Sequence, residues 1–119
     1  QFHDALVPFA ERWIIIMKVH NKLVRDKIPD IIKEDGRVAF FRTLSDEEYI
    51  SELDRKLVEE CKEYCEDKSI EELADILEVI YAIAEVKGCS PAELEELRNI
   101  KGDKRGGFKE KIFLEKVEG

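Results

Sequence analysis

The stretch of residues 45–86, SDEEYISELDRKLVEECKEYCEDKSIEELADILEVIYAIAEV, carries two helical patterns in succession. Ser45 with Glu48 has the spacing of a capping box, and Ser69 with Glu72 repeats it, so each pair predicts the start of a helix. The connection between the two helices is very short. We therefore expect them to fold back on each other as an antiparallel helical hairpin.

The segments that flank this hairpin predict an all-α domain. The first helix of the hairpin should end near Asp67, and Gly88 should close the second. Ser90–Glu93, which contains a proline, predicts a third helix that ends near Lys101, before a cluster of glycines. A short helix should start at Pro29.

Two short runs could add one small β ribbon to this all-α domain. Residues 38–43 (VAFFRT) and 112–117 (IFLEKV) are both apolar and β-prone, and could pair with each other. Residues 1–17 are set apart as an N-terminal extension, either a non-native segment or an added amphipathic helix. We assign residues 18–119 to one domain.

Composition restricts the class of protein. The chain has 119 residues, 40% of them charged, and a net charge of −8. This balance argues against binding to nucleic acid or to an anionic membrane, because both need an excess of Lys and Arg. No apolar run approaches the roughly 20 residues of a membrane span. The three cysteines, Cys61, Cys65 and Cys89, lack metal-type spacing and are interpreted as buried thiols in a reducing cytoplasm.

Two acidic residues of the second hairpin helix fall inside its apolar arc. At about 100° per residue, Asp75 lies between Val79 and Ala82, and Glu72 lies between Val79 and Ile83. The arc consists of Leu73, Ile76, Leu77, Val79, Ile80, Ala82, Ile83, Ala84 and Val86. The other acids of this helix, on the opposite and solvent-facing side, are Glu71, Glu78 and Glu85. A buried carboxylate must be protonated, paired or bound to a metal ion.

The first hairpin helix offers acids rather than bases as partners. Its apolar stripe is formed by Ile50, Leu53, Leu57, Cys61, Tyr64 and Cys65, and we find no Lys or Arg on it. Glu60 borders the stripe directly, with Glu63 and Glu59 further round. Acids brought towards acids repel one another unless a divalent cation joins them, and oxygen-only ligands select Mg²⁺ or Mn²⁺ over zinc.

Simpler explanations compete with a metal site. Glu72 could do no more than complete a capping box with Ser69. Glu59, Glu60 and Glu63 could form a solvated face on a chain rich in glutamate. Asp75 is the exception, because capping does not account for it and its neighbours on the helix are apolar.

These residues resemble a known family. The E-E-x-x-E run from Glu59 to Glu63, followed by E-x-x-D from Glu72 to Asp75, is similar to the signature of the all-α nucleoside triphosphate pyrophosphatases, the superfamily that includes MazG. The flanking segments 21–29 (NKLVRDKIP) and 105–108 (RGGF) resemble a MazG-related house-cleaning group. The resemblance covers roughly residues 18–117. Only eight residues separate Glu63 from Glu72, a shorter gap than is usual in the family.

The resemblance implies a site and a reaction. Glu60, Glu63, Glu72 and Asp75 would ligate Mg²⁺, with Mn²⁺ as a substitute, and Glu59 would orient a water molecule or accept its proton. The reaction would be hydrolysis of a nucleoside triphosphate to a monophosphate and pyrophosphate. No Walker-type glycine loop is present, so basic side chains would also hold the phosphates. The candidates are Lys22, Arg25, Lys101 and Arg105.

Several alternatives remain open at this point. Phosphoribosyl-ATP pyrophosphohydrolase uses the same chemistry, and only the substrate pocket distinguishes it. The chain could instead be a catalytically silent helical module that dimerises, or a protein that stores or senses metal. Because apolar residues cover more than half of the second hairpin helix, we expect a homodimer or a dimer of dimers built on that helix and its symmetry mate.

Overall fold

The computed structural model describes residues 18–119, and the predicted extension at residues 1–17 lies outside the described part. The contacts divide the chain after Thr43 into two units, each of which is described by itself. The described part of the first unit, residues 18–43, contains one short helix, α1 (Ile28–Glu34), with Pro29 in its first turn. Gly36, with a φ of 80°, follows its end.

The second unit, Leu44–Gly119, contains three helices, α2 (Asp46–Asp67), α3 (Ile70–Val86) and α4 (Pro91–Arg105). Lys68 and Ser69 alone connect α2 to α3, and the two helices pack on each other along their length. Lys68 takes up the left-handed conformation, with φ of 63°, that turns the chain at the end of α2. The predicted antiparallel hairpin is therefore present, and every element among residues 18–119 is helical.

Complete capping boxes start α2 and α4. At α2, the Ser45 hydroxyl accepts the Glu48 backbone N–H at 3.3 Å, and the Glu48 carboxylate accepts the Ser45 backbone N–H at 3.2 Å. Ser90 and Glu93 make the same reciprocal pair at α4, at 3.2 and 3.0 Å. The sequence predicted both starts correctly. Each reciprocal pair satisfies two N–H groups that have no partner within the helix.

The third helix of this unit is longer than predicted. We expected it to end near Lys101, but α4 continues through Gly102 to Arg105. A glycine inside a helix costs only about 1 kcal/mol, so Gly102 does not by itself end one. Gly106 ends it instead, with a positive φ of 81° that residues with a side chain rarely adopt.

The core of the second unit is small. Leu53 of α2 and Val79 and Ala84 of α3 are its buried apolar residues. Many large apolar side chains in the same unit remain exposed. They include Val58, Ile70, Leu73, Leu77, Leu97, Phe108, Ile112, Phe113, Leu114 and Val117.

The small β ribbon that the sequence allowed does not form, and the expectation of buried cysteines is wrong. Neither 38–43 nor 112–117 forms a strand, and no strand occurs anywhere in the described residues. An apolar, β-prone composition makes a strand only where a partner strand takes up its backbone hydrogen bonds, and neither run has one. The cysteines are not buried thiols: Cys61 and Cys65 are exposed, because α3 covers only one side of α2, and Cys89, between α3 and α4, is half-buried.

None of the helices described between residues 18 and 119 is long and apolar enough to cross a membrane. The longest, α2, has 22 residues, but charged side chains occur in every one of its turns.

Candidate functional site

The hairpin brings three of the predicted acids together. Glu60 projects from α2 and is buried, with 6% of its surface exposed, while Glu72 and Asp75 project from α3 and are half-buried. One carboxylate oxygen from each lies within 4.8 Å of the other two. Three carboxylates gathered in this way could hold one metal ion, with small side-chain movements that bring the oxygens to coordination distance.

A second group of acids adjoins the first through a shared residue. Glu59, Glu60 and Glu63 of α2 also offer carboxylate oxygens within 4.8 Å of one another. Because Glu60 belongs to both groups, all five acids that the sequence singled out form one continuous cluster across the hairpin. We call these five residues the acidic cluster. Exposed acids commonly gather without a metal ion, so the interpretation depends on the geometry of the individual members.

The cap of α3 differs from those of α2 and α4. The Ser69 hydroxyl accepts the Glu72 backbone N–H at 3.3 Å. The Glu72 carboxylate does not return to the Ser69 backbone N–H, so the capping box is only half formed. Capping therefore does not account for the position of this carboxylate. It lies beside Glu60 and Asp75 instead.

Two oxygens of the acidic cluster have no hydrogen-bond partner among the described residues. They are Glu60 Oε2 and Glu72 Oε2, and both are shielded from solvent. A carboxylate oxygen that gives up water without gaining a donor is costly, so such atoms are rare in folded proteins. A bound cation is one of the few partners that would satisfy both atoms at once.

The electrostatics agree with this crowding of negative charge. Burial raises the pKa of Glu60 above its usual value of 4.5, and the neighbouring Glu63 and Asp75 raise it further, against the opposing effect of Lys56. Removal from water also raises the pKa of Glu72, with further contributions from Glu63, Asp75 and Glu60. Both carboxyl groups thus hold their protons more tightly than a solvated glutamate does.

The sequence analysis overlooked Lys56. We expected no base on the inner side of α2, but the Lys56 ammonium lies 3.3 Å from Glu59 Oε1 and 3.5 Å from Glu60 Oε1. Only 16% of its side chain is exposed. Lysine four residues before glutamate is a known helix pairing, and this spacing was the signal that could have identified it. The ion pair neutralises part of the cluster and leaves Glu60 Oε2 without a donor.

The acids assigned to the solvent side of α3 behave as predicted, since Glu71, Glu78 and Glu85 are all exposed. The apolar arc is covered less completely than expected. Leu73, Leu77 and Val86 remain exposed because α2 contacts only one side of α3 and α4 contacts α3 near its C-terminal end. The arc is therefore wider than one chain covers.

The four basic candidates belong to two different units of the chain. Lys101 and Arg105 lie in the last two turns of α4 and are exposed. Lys22 and Arg25 belong to the first unit, where both are exposed and precede α1. Their assignment as phosphate ligands stays a prediction. Lys56 is the base that the second unit places in contact with the acidic cluster.

Comparisons with known proteins add little about activity. No family model matches the chain, and no solved structure matches it. An uncharacterised protein from Mycolicibacterium smegmatis is 55% identical over 42 residues, which are 35% of this chain and 43% of that protein. The chain therefore matches less than half the length of this curated relative, whose name assigns no activity.

Proposed function

We propose that this protein is a metal-dependent nucleotide pyrophosphohydrolase of the MazG type, which cleaves a nucleoside triphosphate to a monophosphate and pyrophosphate. The observation that carries the proposal is the position of the Glu72 carboxylate. It leaves its capping box half formed and lies with Glu60 and Asp75, with one of its oxygens buried and without a donor.

The donor set suits a hard divalent cation. All five members of the acidic cluster are carboxylates, and neither cysteine nor histidine takes part. Oxygen donors of this kind favour Mg²⁺ or Mn²⁺ over zinc. We assign Glu60, Glu63, Glu72 and Asp75 as the residues that hold the ion. When bound, the ion would neutralise phosphate oxygens and lower the pKa of a water molecule.

The protein side chains would supply positioning and proton transfer. Glu59, at the edge of the cluster, is assigned to orient the attacking water or accept its proton. Lys56 already contacts Glu59, at 3.3 Å, and is placed to fix the direction of that carboxylate or to meet a phosphate oxygen. Lys22, Arg25, Lys101 and Arg105 remain the candidates for the other phosphate contacts. The protein is expected to act in the cytoplasm, where nucleotides are abundant.

The decisive experiment is a product assay. Standard and damaged nucleoside triphosphates, and phosphoribosyl-ATP, are incubated with the protein and Mg²⁺, and the products are separated by chromatography. We expect monophosphate and pyrophosphate. Glu72→Gln should lower the rate at least about a hundredfold, because it removes charge at the place where the ion and phosphates meet. Glu78→Gln, on the exposed side of the same helix, is the matched control and should retain full activity.

Other outcomes favour the alternatives. Turnover of phosphoribosyl-ATP alone would identify a phosphoribosyl-ATP pyrophosphohydrolase. Release of diphosphate and orthophosphate would mean that a different bond is cut. Absence of product from every nucleotide would favour a silent helical module, in which the pair of Lys56 with Glu60 is structural. Equal losses in Glu78→Gln and Glu72→Gln would contradict the assignment of the site.

A further inference from the structure

One side of the α2–α3 hairpin is apolar and uncovered. On α2, Val58, Cys61 and Cys65 are exposed at positions i, i+3 and i+7, and so lie on one side of the helix. On α3, Ile70, Leu73 and Leu77 repeat this spacing and are also exposed. Steps of about 100° per residue around two antiparallel helices place both stripes on the same side of the hairpin. We call these six residues the open face.

The same chain also carries a segment whose large apolar side chains are exposed. All residues from Gly106 to Gly119, here called the arm, are exposed. Phe108 and Phe113 expose 97% and 87% of their surfaces. The other large apolar side chains of the arm, all more than two-thirds exposed, are Ile112, Leu114 and Val117. Apolar side chains in such numbers are normally covered in a folded protein or its assembly.

We propose that the arm of one copy of this chain docks on the open face of a second copy, and that two copies exchange arms reciprocally. Among the described residues of one chain, neither the arm nor the open face is covered. In a two-fold symmetric dimer the arm of each chain would cover the open face of the other, so the same contact forms twice and both apolar surfaces are buried. This inference does not depend on the proposed enzymatic activity.

Length and area fit this exchange. After a turn at Phe108–Lys111, where the Lys111 N–H donates to the Phe108 carbonyl, residues 112–119 are free of helix and strand. Eight extended residues reach about 26 Å, and the 17 residues of α3 span about 25 Å. Two arms seated on two open faces would bury on the order of 2,000 Å², at the upper end of the range for specific interfaces.

Charge also favours the contact. Residues 46–86 contain fifteen acidic and four basic residues, whereas the arm contains three acidic and three basic ones. The arm is thus neutral in a protein whose total charge is −8. Two hairpins placed directly against each other would bring together two strongly acidic surfaces. An arm with alternating Lys and Glu residues approaches the acidic hairpin without that repulsion.

The cysteines provide the experiment, because Cys61 and Cys65 lie on the open face and Cys89 does not. The full chain is alkylated with iodoacetamide, and mass spectrometry follows each cysteine in the native protein. The test variant is the double substitution Phe113→Asp with Leu114→Asp, and the matched control is Glu115→Gln in the same arm. None of these exposed positions contributes to the core. Light scattering measures the molar mass of each protein in parallel.

We expect the double variant to have a lower molar mass than the wild type. Its Cys61 and Cys65 should react about tenfold faster or more, with Cys89 and the Glu115→Gln protein unchanged. Equal rates at Cys61 and Cys65 in wild type and double variant would overturn the proposal. Protection that persists after dilution to monomers would also overturn it, because the arm would then dock on its own chain. Trp13→Asp tests the N-terminal segment, and loss of protection in that variant alone would assign the open face to residues 1–17 instead.

Discussion

The Lys56 ammonium lies 3.5 Å from Glu60 Oε1, while the other oxygen of the same carboxylate is buried without a hydrogen-bond partner in the described part of the chain. One residue thus has one satisfied and one unsatisfied oxygen within the same side chain. The satisfied oxygen faces along α2, towards a base four residues earlier. The same Glu60 carboxylate belongs to the group that includes Glu72 and Asp75.

Replacement of Lys56 should separate its structural role from that of a metal ion. Lys56→Met should lower the stability of the metal-free protein by about 1–3 kcal/mol, because it leaves a largely buried carboxylate without its base. The same substitution should enlarge the rise in melting temperature caused by Mg²⁺, since the ion no longer competes with the ammonium. Thermal melts with and without Mg²⁺ measure both effects. Arg55→Met, at an exposed neighbouring position, is the control. A smaller Mg²⁺ effect in Lys56→Met than in wild type would contradict the prediction.

Metal binding should stabilise the fold. Mg²⁺ or Mn²⁺ is expected to raise the melting temperature, because an ion that binds only the folded hairpin offsets the repulsion within the acidic cluster. Asp75→Ala should remove most of that rise, whereas Glu78→Ala, on the exposed side of the same helix, should keep it. Differential scanning calorimetry across a metal titration gives the comparison. If Asp75→Ala shows the same rise as wild type, Asp75 is not a ligand.

Glu72 and Glu93 hold equivalent positions in two Ser-x-x-Glu caps, and the same substitution should affect them in opposite ways. Glu93→Gln should reduce stability slightly, because the Glu93 carboxylate accepts the Ser90 backbone N–H and hydrogen bonds from Ser90 lower its pKa. Glu72→Gln should stabilise the metal-free protein, because it removes a charge that its surroundings disfavour. Urea unfolding of both variants tests the pair. Equal destabilisation by both substitutions would mean that Glu72 acts as an ordinary cap.

The stability of the protein should also depend on pH because the pKa values of Glu60 and Glu72 are raised. The pKa values of Glu60 and Glu72 are raised above 4.5 in the folded protein, so between pH 4.5 and those values the folded state binds more protons than the unfolded chain. The contribution of these groups to the free energy of unfolding is therefore present at low pH and is lost as pH rises through that window.

The test is the difference in stability between Glu72→Gln and wild type, measured in metal-free buffer. It should be smallest near pH 4.5 and grow as the pH rises. Glu93 and Glu95 have lowered pKa values and the opposite dependence, and their contribution is lost as the pH falls. Taking the difference between the two proteins cancels their effect. A difference that does not change with pH would show that Glu72 is not perturbed.

The protein is expected to be a homodimer or a dimer of dimers in solution. Apolar side chains at Ile70, Leu73 and Leu77 are exposed along one side of α3, and burial in an assembly would stabilise them. Light scattering at micromolar concentration should report two or four chains, and Leu73→Asp should lower that number. The control is Glu71→Gln, at an exposed polar position on the same helix. A monomer under these conditions would refute the prediction.

The sequence by itself determined the helices and the identity of the acids. Ser45 and Ser90, each followed by Glu at the third position, marked the starts of α2 and α4 correctly, because capping depends on side chains only three residues apart. The helical period likewise placed Glu78 on the solvent side of α3, since position on a single helix follows from residue spacing alone. Local geometry decides both properties.

Only the tertiary structure decided how the candidate site is arranged. The Glu72 carboxylate lies beside Asp75 of its own helix and Glu60 of the opposite helix. Only the folded hairpin brings Glu60 to this place. Spacing predicted a complete capping box where the structure has half of one. The burial of Lys56 and the exposure of Cys61 likewise depend on which side of α2 the second helix covers. Residues 112–117 show the same limit, because a β-prone segment forms a strand only where another segment offers its hydrogen bonds.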